Sequence, residues 1–156
     1  MLTFRKAEIQ DMELYFDWAN DSLVREQSYN SNKINLENHR KWFVSKLNDE
    51  NCTFFLFENG KKEAVGQVRI EKKNLREAII GISIDQHYRG KGYSKRMLQM
   101  ATDSFFVINT NFLVNAYIKE CNLNSKYAFE NAGFEFRSKV DNDNFRSFHY
   151  IKQFKK

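Results

Sequence analysis

Proline is absent from this 156-residue chain, and glycine (6), cysteine (2) and histidine (3) are scarce. Without proline there is no polyproline segment and no stiff proline-rich linker. Cys52 and Cys121 are too few for a disulfide framework or a cysteine-built metal centre. They read instead as small buried hydrophobes in a reducing compartment, with no metal expected. No apolar run approaches the ~20 residues of a transmembrane span. Residues 1–11 also lack the apolar core of a secretory leader, so the expected setting is cytoplasmic, with no membrane partner. Blocks of like charge are missing too: the net charge is +5, but the 25 Lys and Arg are scattered. That distribution leaves no nucleic-acid footprint and favours a small anionic ligand, particularly one bearing several phosphates.

Hydrophobic residues make up 42% and aromatics 15%, including 15 Phe, enough for a single packed domain over residues 1–156. Residues 2–6 read as a first strand. Residues 11–20 place Met12, Leu14, Tyr15 and Trp18 at helical spacing, with Asp11 as N-cap. Residues 21–35 have no period and read as a long loop. Residues 36–47 return to helix, with Leu36, Phe43 and Leu47 in one stripe. Strands follow at 52–57 and 64–71, joined at Asn59-Gly60, where both residues tolerate positive φ. Residues 75–84, LREAIIGISI, form a central strand. The helix 91–107 carries Tyr93, Met97, Ala101 and Phe105 on one face. Another central strand covers 112–118, and a short helix spans 124–131 and ends at Ala132-Gly133. Residues 134–139 and 145–153 form a closing antiparallel pair, whose last strand offers an edge to a second copy. The order β-α-α-β-β-β-α-β-α-β-β excludes a purely doubly wound sheet and fits an α/β mixed sheet covered on both faces.

Between strand and helix lies Asp85–Leu98, DQHYRGKGYSKRML. The first amides of a helix lack internal partners, and its dipole favours anions there. Gly90 and Gly92 remove Cβ atoms that would keep a phosphate away, and Arg89 and Lys91 add charge. The spacing matches neither GxxxxGK[ST] nor GxGxxG, so neither nucleotide fingerprint applies.

The run Arg89-Gly-Lys-Gly-Tyr-Ser94 resembles the [Q/R]xxGx[G/A] signature of GCN5-related N-acetyltransferases (GNAT). Ile82-Ser83-Ile84 is similar to the strand preceding it in that family. Asn122-Leu-Asn-Ser125 and Phe129-Glu-Asn-Ala-Gly-Phe134 resemble the family's NxxS/A…YEKxGF segment. The resemblance implies a GNAT fold: a mixed, mostly antiparallel sheet of about six to seven strands with helices on both faces. It implies acetyl-CoA as co-substrate, its pyrophosphate held by Arg89, Gly90, Lys91, Gly92, Tyr93 and Ser94. The pantetheine arm would bond Ile82, Ser83 and Ile84, with Asn122 and Phe129 alongside. Ser94 departs from the usual Gly/Ala but is small. Phe129 stands where many members carry a tyrosine that protonates the departing thiolate, and Phe has no proton to give. Ser125 and Tyr127 are the remaining hydroxyl candidates, although Tyr127 turns to a different helix face. Glu77 is the carboxylate available as base.

A narrower likeness runs through Trp18-Ala-Asn-Asp21, Val24-Arg25, Ser28, Ser31, Glu37, His39 and Trp42-Phe43. It resembles GNAT enzymes that acetylate UDP-4-amino-sugars of the pseudaminic acid type. On that reading Arg25 and Arg40 meet phosphates, Tyr29, Trp42 and Phe43 cover base or sugar, and His39 lies beside them. Two other readings stand next to it. One is an acetyltransferase for a peptide amino terminus or a small amine; the other is a non-catalytic acetyl-CoA-binding module. Small molecules are the expected partners in each case, with the chain a monomer or homodimer.

Overall fold

Strand β1 (Thr3–Lys6) opens the chain and pairs antiparallel with β2 (Cys52–Glu58). Between them lie three helices: α1 (Met12–Ala19), α2 (Ser22–Gln27) and α3 (Leu36–Leu47). Strands β3 (Ala64–Lys72) and β4 (Glu77–Ile84) continue the antiparallel meander. Helix α4 (Tyr93–Phe106) crosses over to β5 (Leu113–Lys119), which lies parallel to β4. Helix α5 (Leu123–Asn131) leads to β6 (Glu135–Asn142) and β7 (Phe145–Gln153). The computed structural model describes all residues 1–156, and the seven strands form one sheet in the order β1-β2-β3-β4-β5-β7-β6. This is the mixed, mostly antiparallel sheet with helices on both faces that the sequence led us to expect. No helix is long and apolar enough to cross a membrane.

Alternation along the strands sends their side chains to two unlike faces. Ala78 and Ile80 of β4, Val114, Ala116 and Ile118 of β5, and Phe148 and Tyr150 of β7 join the main core with Met97, Leu98 and Ala101 of α4. The opposite face carries a small aromatic cluster of Tyr15, Trp18, Phe43, Phe54 and Leu56, where α1 and α3 cover β2. Neither helix reaches far across that face. Its β4–β5–β7 half therefore carries polar side chains, with Tyr117 and His149 half-buried and Asn115 buried beside them.

Several local expectations change. Residues 21–35 are not all loop: Asp21 caps α2, its Oδ1 accepting from the Val24 amide at 3.3 Å. Six residues are too few to display a helical period in the sequence. Asp11 does not cap α1 through its side chain, because its carboxylate takes Arg5 in a two-point pair at 2.8 and 2.9 Å and the Glu8 amide at 2.7 Å. Leu36 is exposed, and α3 buries His39 and Phe43 instead. The β2–β3 turn has positive φ at Lys62, not at Asn59 or Gly60, because Asn59 Oδ1 accepts from the Lys61 and Glu63 amides and widens it. Cys52 is half-buried and Cys121 exposed, so neither is the fully buried residue expected. Strand β7 sits inside the sheet, and the free edge belongs to β6, which carries Arg137, Lys139 and Asp141.

Candidate active site

Only the first three residues of β4 and β5 pair: Glu77 with Leu113, Ala78 with Val114, Ile79 with Asn115. Beyond them the strands part, while β4 stays bonded to β3 and β5 to β7 along their lengths. The result is a cleft of about 510 Å³ between Ile80–Ile84 and Tyr117–Lys119, with α2 and α5 as its side walls. The backbone edge of β4 that faces it has no strand partner beyond Ile79.

The glycine turn closes one end. Gly90 and Gly92 have φ of 75° and 79°, the left-handed region that glycine enters without strain. Gly92 is the N-cap of α4, with no side chain to occupy the first amides of the helix. A Cβ built at either glycine would meet no atom within 4 Å, so the turn is bordered by open space at the cleft mouth. A helix of 14 residues behind such a turn suits a phosphate group.

Most of the donor-site residues expected from sequence meet here. Ile82, Ser83 and Ile84 line one wall, Arg89, Gly90, Gly92, Tyr93 and Ser94 the mouth, and Asn122, Ser125 and Phe129 the other wall. Lys91 stands outside the lining, its ammonium 5.5 Å from the Tyr88 ring. Asn122 caps α5 through Oδ1 to the Ser125 amide at 3.3 Å, and its Nδ2 donates to Ser125 Oγ at 3.1 Å. Ser125 Oγ is thereby an acceptor on one side, leaving its O–H free to donate toward the cleft. Phe129 is buried edge-on against Phe134, with ring centroids 5.0 Å apart.

The other two chemical candidates lie elsewhere. Tyr127 is exposed on the outer side of α5 and does not reach the cleft. Glu77 sits at the paired end of β4, away from the opening, where its carboxylate lies 3.3 Å from Asn115 Nδ2. The expected acceptor set does not assemble either. Phe43 and His39 are buried beside α1, with His39 Nε2 3.2 Å from the Met12 carbonyl. Trp42 packs edge-on on Phe54 with Arg69 over its ring, and Arg40 pairs with Glu37 on the solvent side of α3. Arg25 holds the loop after α2 together by donating to the Asn30 and Asn32 carbonyls at 2.9 and 3.2 Å. Tyr29 bonds Ser147 Oγ at 2.7 Å, outside the lining.

Other residues gained a role that the sequence did not show. Trp18 Nε1 donates to Asp85 Oδ2 at 2.8 Å, and Arg89 is paired with Asp21, the cap of α2. Burial opposes ionisation of Asp85, but bonds from Trp18 and from the His87 amide hold its carboxyl below the usual range. These two bonds tie the helical layer to the glycine turn. On the open face, Asn115 donates to the Ala78 carbonyl at 3.2 Å and meets His149 Nε2 at 2.7 Å. The His149 ring stacks on Tyr117, a cleft residue, with centroids 4.5 Å apart. Pairs of this kind join residues far apart in the chain, and no local pattern announces them.

Comparison with known proteins fits this geometry. A family profile described as acetyltransferase (GNAT) domain matches residues 1–135. An uncharacterized protein of Methanocaldococcus jannaschii is 26% identical over 137 residues, covering 86% of this chain; the chain spans only 28% of that protein's length. The SPbeta prophage-derived uncharacterized N-acetyltransferase YokL of Bacillus subtilis is 25% identical over 135 residues, 85% of this chain and 75% of its own. Among solved structures, spermidine N-acetyltransferase from Vibrio cholerae, in complex with CoA and spermine, superposes with a TM-score of 0.85 at 18% identity over 96% of this chain and 93% of that one. An aminoglycoside acetyltransferase solved with coenzyme A and kanamycin gives 0.84 at 16% identity over 98% and 95%. With its glycine turn, its parted strands and a family match over most of its length, the chain belongs to the GNAT acetyltransferase family.

Proposed function

We propose that this protein transfers an acetyl group from acetyl-CoA to a primary amine of a small molecule. The parting of β4 and β5 beside the glycine-capped start of α4 carries this reading. The unpaired edge of β4 suits an extended, amide-bearing chain, and the α4 amides suit the phosphates at its end. An acetyl thioester supplies an activated carbonyl and a sulfur that leaves readily as thiolate. Around it, backbone amides of β4 near Ile82 stabilise negative charge developing on the carbonyl oxygen. The Ser125 O–H donates toward the departing sulfur, a function Phe129 has no proton to perform.

For the acceptor, a small amine is favoured over a nucleotide-linked amino sugar. The residues that would grip a nucleotide are spread among the core, the α2 loop and the outer side of α3. Two enzymes that share the fold are named for spermidine and aminoglycosides, both small amines, which supports the same choice.

Acetyl-CoA should raise the melting temperature, by about 2.7 kcal/mol of stabilisation at 100 times its Kd. Gly92→Val should abolish that rise while leaving far-UV circular dichroism intact. Release of CoA is then measured with spermidine, kanamycin, a UDP-linked 4-amino sugar and a peptide with a free amino terminus. Turnover of a small amine without turnover of the peptide is expected. Turnover of the UDP-sugar alone would restore that acceptor. No turnover despite thermal stabilisation would make the protein an acetyl-CoA-binding module.

A further inference from the structure

We propose that His149 is the base that takes the proton from the acceptor ammonium, with Asn115 as the positioning residue that fixes its tautomer. The assignment rests on the acetyl-transfer reading above and adds a residue to it.

Register puts His149 directly opposite Tyr117 on β5, and the two rings lie nearly parallel at 12°. Tyr117 lines the cleft and His149 does not, so the imidazole stands one strand back from the opening, behind the Tyr117 ring and on the sheet face opposite α4. On the acetyl-transfer reading, the acceptor amine approaches from that open face, with the thioester lying along the free edge of β4.

Asn115 settles which ring nitrogen carries the hydrogen. It is buried, and its Nδ2 is directed at two acceptors, the Ala78 carbonyl and the Glu77 carboxylate. Its Oδ1 therefore faces His149 Nε2, and an amide oxygen only accepts. The hydrogen must sit on Nε2, so neutral His149 carries its lone pair on Nδ1, which has no hydrogen-bond partner within the protein. A bare imidazole nitrogen beside a cleft is a proton acceptor without a present occupation.

The groups facing the ring are Glu77 from β4, Tyr117 from β5 and Arg137 from β6. Burial, and then the Arg137 charge, hold His149 below its ordinary 6.5, with Glu77 opposing them. The imidazole is thus neutral and able to accept at pH 7.

The step balances as follows. The ammonium passes one proton through a bridging water to Nδ1, and the freed nitrogen pair forms the C–N bond to the acetyl carbon. The C–S bond breaks and its electron pair leaves on sulfur. The second amine proton, released as the amide forms, ends on that sulfur, while His149 returns the first to solvent.

The test uses the full chain with acetyl-CoA bound. Long-range proton–nitrogen spectra should show His149 as the Nε2–H tautomer, assigned by its loss in His149→Gln, titrating below 6.5. With spermidine, or whichever of the four amines is turned over, kcat/KM should rise through that same pKa and level off. His149→Gln should lose about 10²-fold at pH 7 and recover only as the amine itself deprotonates, with no plateau near neutrality. Asn115→Asp, which sets a carboxylate on Nε2–H, should move the nuclear titration and the acid limb upward together. A purely packing role would shift neither. An Nδ1–H tautomer, or an unaltered acid limb in His149→Gln, overturns the assignment. If acetyl-CoA stabilises the protein but none of the amines is acetylated, the transferase reading has failed, and the base falls with it.

Discussion

Tyr15 places a phenol hydroxyl inside the small aromatic core with no hydrogen-bond partner. Its ring packs well, 5.1 Å from Phe43 and 5.2 Å from Phe54, and burial pushes its ionisation upward. Leaving a buried donor unpaired costs about 1–3 kcal/mol, so Tyr15→Phe should stabilise the fold. A rise in Tm of about 2–4 °C is expected for roughly 1 kcal/mol in a chain of this size. A fall would show that the hydroxyl is satisfied by water. The same scale explains which site residues were legible. Asn122 and Ser125 cap a helix locally and sit three apart, so a short motif displays them. Asn115 and His149 meet only because β7 lies beside β5, 34 residues apart in the chain. Their chemistry comes from a cross-strand register that local pattern does not encode. Phe43 and His39 show the converse: residue types suited to a ligand, spent instead on packing.

Among the elements, the β6–β7 hairpin holds two non-glycine residues in the left-handed region, Asp143 at φ 46° and Asn144 at 69°. Such a two-residue turn matches the twist of its strands, but each non-glycine residue there carries a local cost. Asn144→Gly should therefore add up to about 1 kcal/mol of stability, read as a higher urea midpoint at unchanged m, and leave acetyl-CoA affinity unchanged. A lower midpoint would mean that the Asn144 side chain makes a contact worth more than the strain. The turn at Asn59-Gly60 looked more like a tight hairpin in sequence, yet Asn59 spends its side chain on two later amides and widens the loop. Elements with strong patterns, such as α4 and the apolar strands, were readable to within a few residues. Helix α2 was not, because one and a half turns carry no period. Its existence depends on the Asp21 cap and on the chain around it.

Taken whole, the molecule keeps its two halves in different languages. The donor half is written in glycine spacing and β-branched strands, which physical rules read directly. The residues that the sequence assigned to the acceptor, Arg25, Trp42 and Phe43, lie outside the cleft, whose walls of α2, β4, β5 and α5 come together by tertiary packing and by bonds such as Trp18–Asp85 and Asp21–Arg89. Those tertiary bonds have a thermodynamic consequence. Trp18 holds Asp85 and Asp21 holds Arg89, so α1 and α2, which the proposed acceptor would meet, are fastened to the turn that meets the donor. A ligand that orders one ought to order the other, and linkage then requires each to tighten its counterpart by the same factor. We expect the Kd of CoA to fall about fivefold in saturating acceptor, and calorimetry should find the amine's Kd falling equally in saturating CoA. In Asp21→Asn both ratios should move toward unity together, turning one ion pair into a measure of how far the two substrates sense each other.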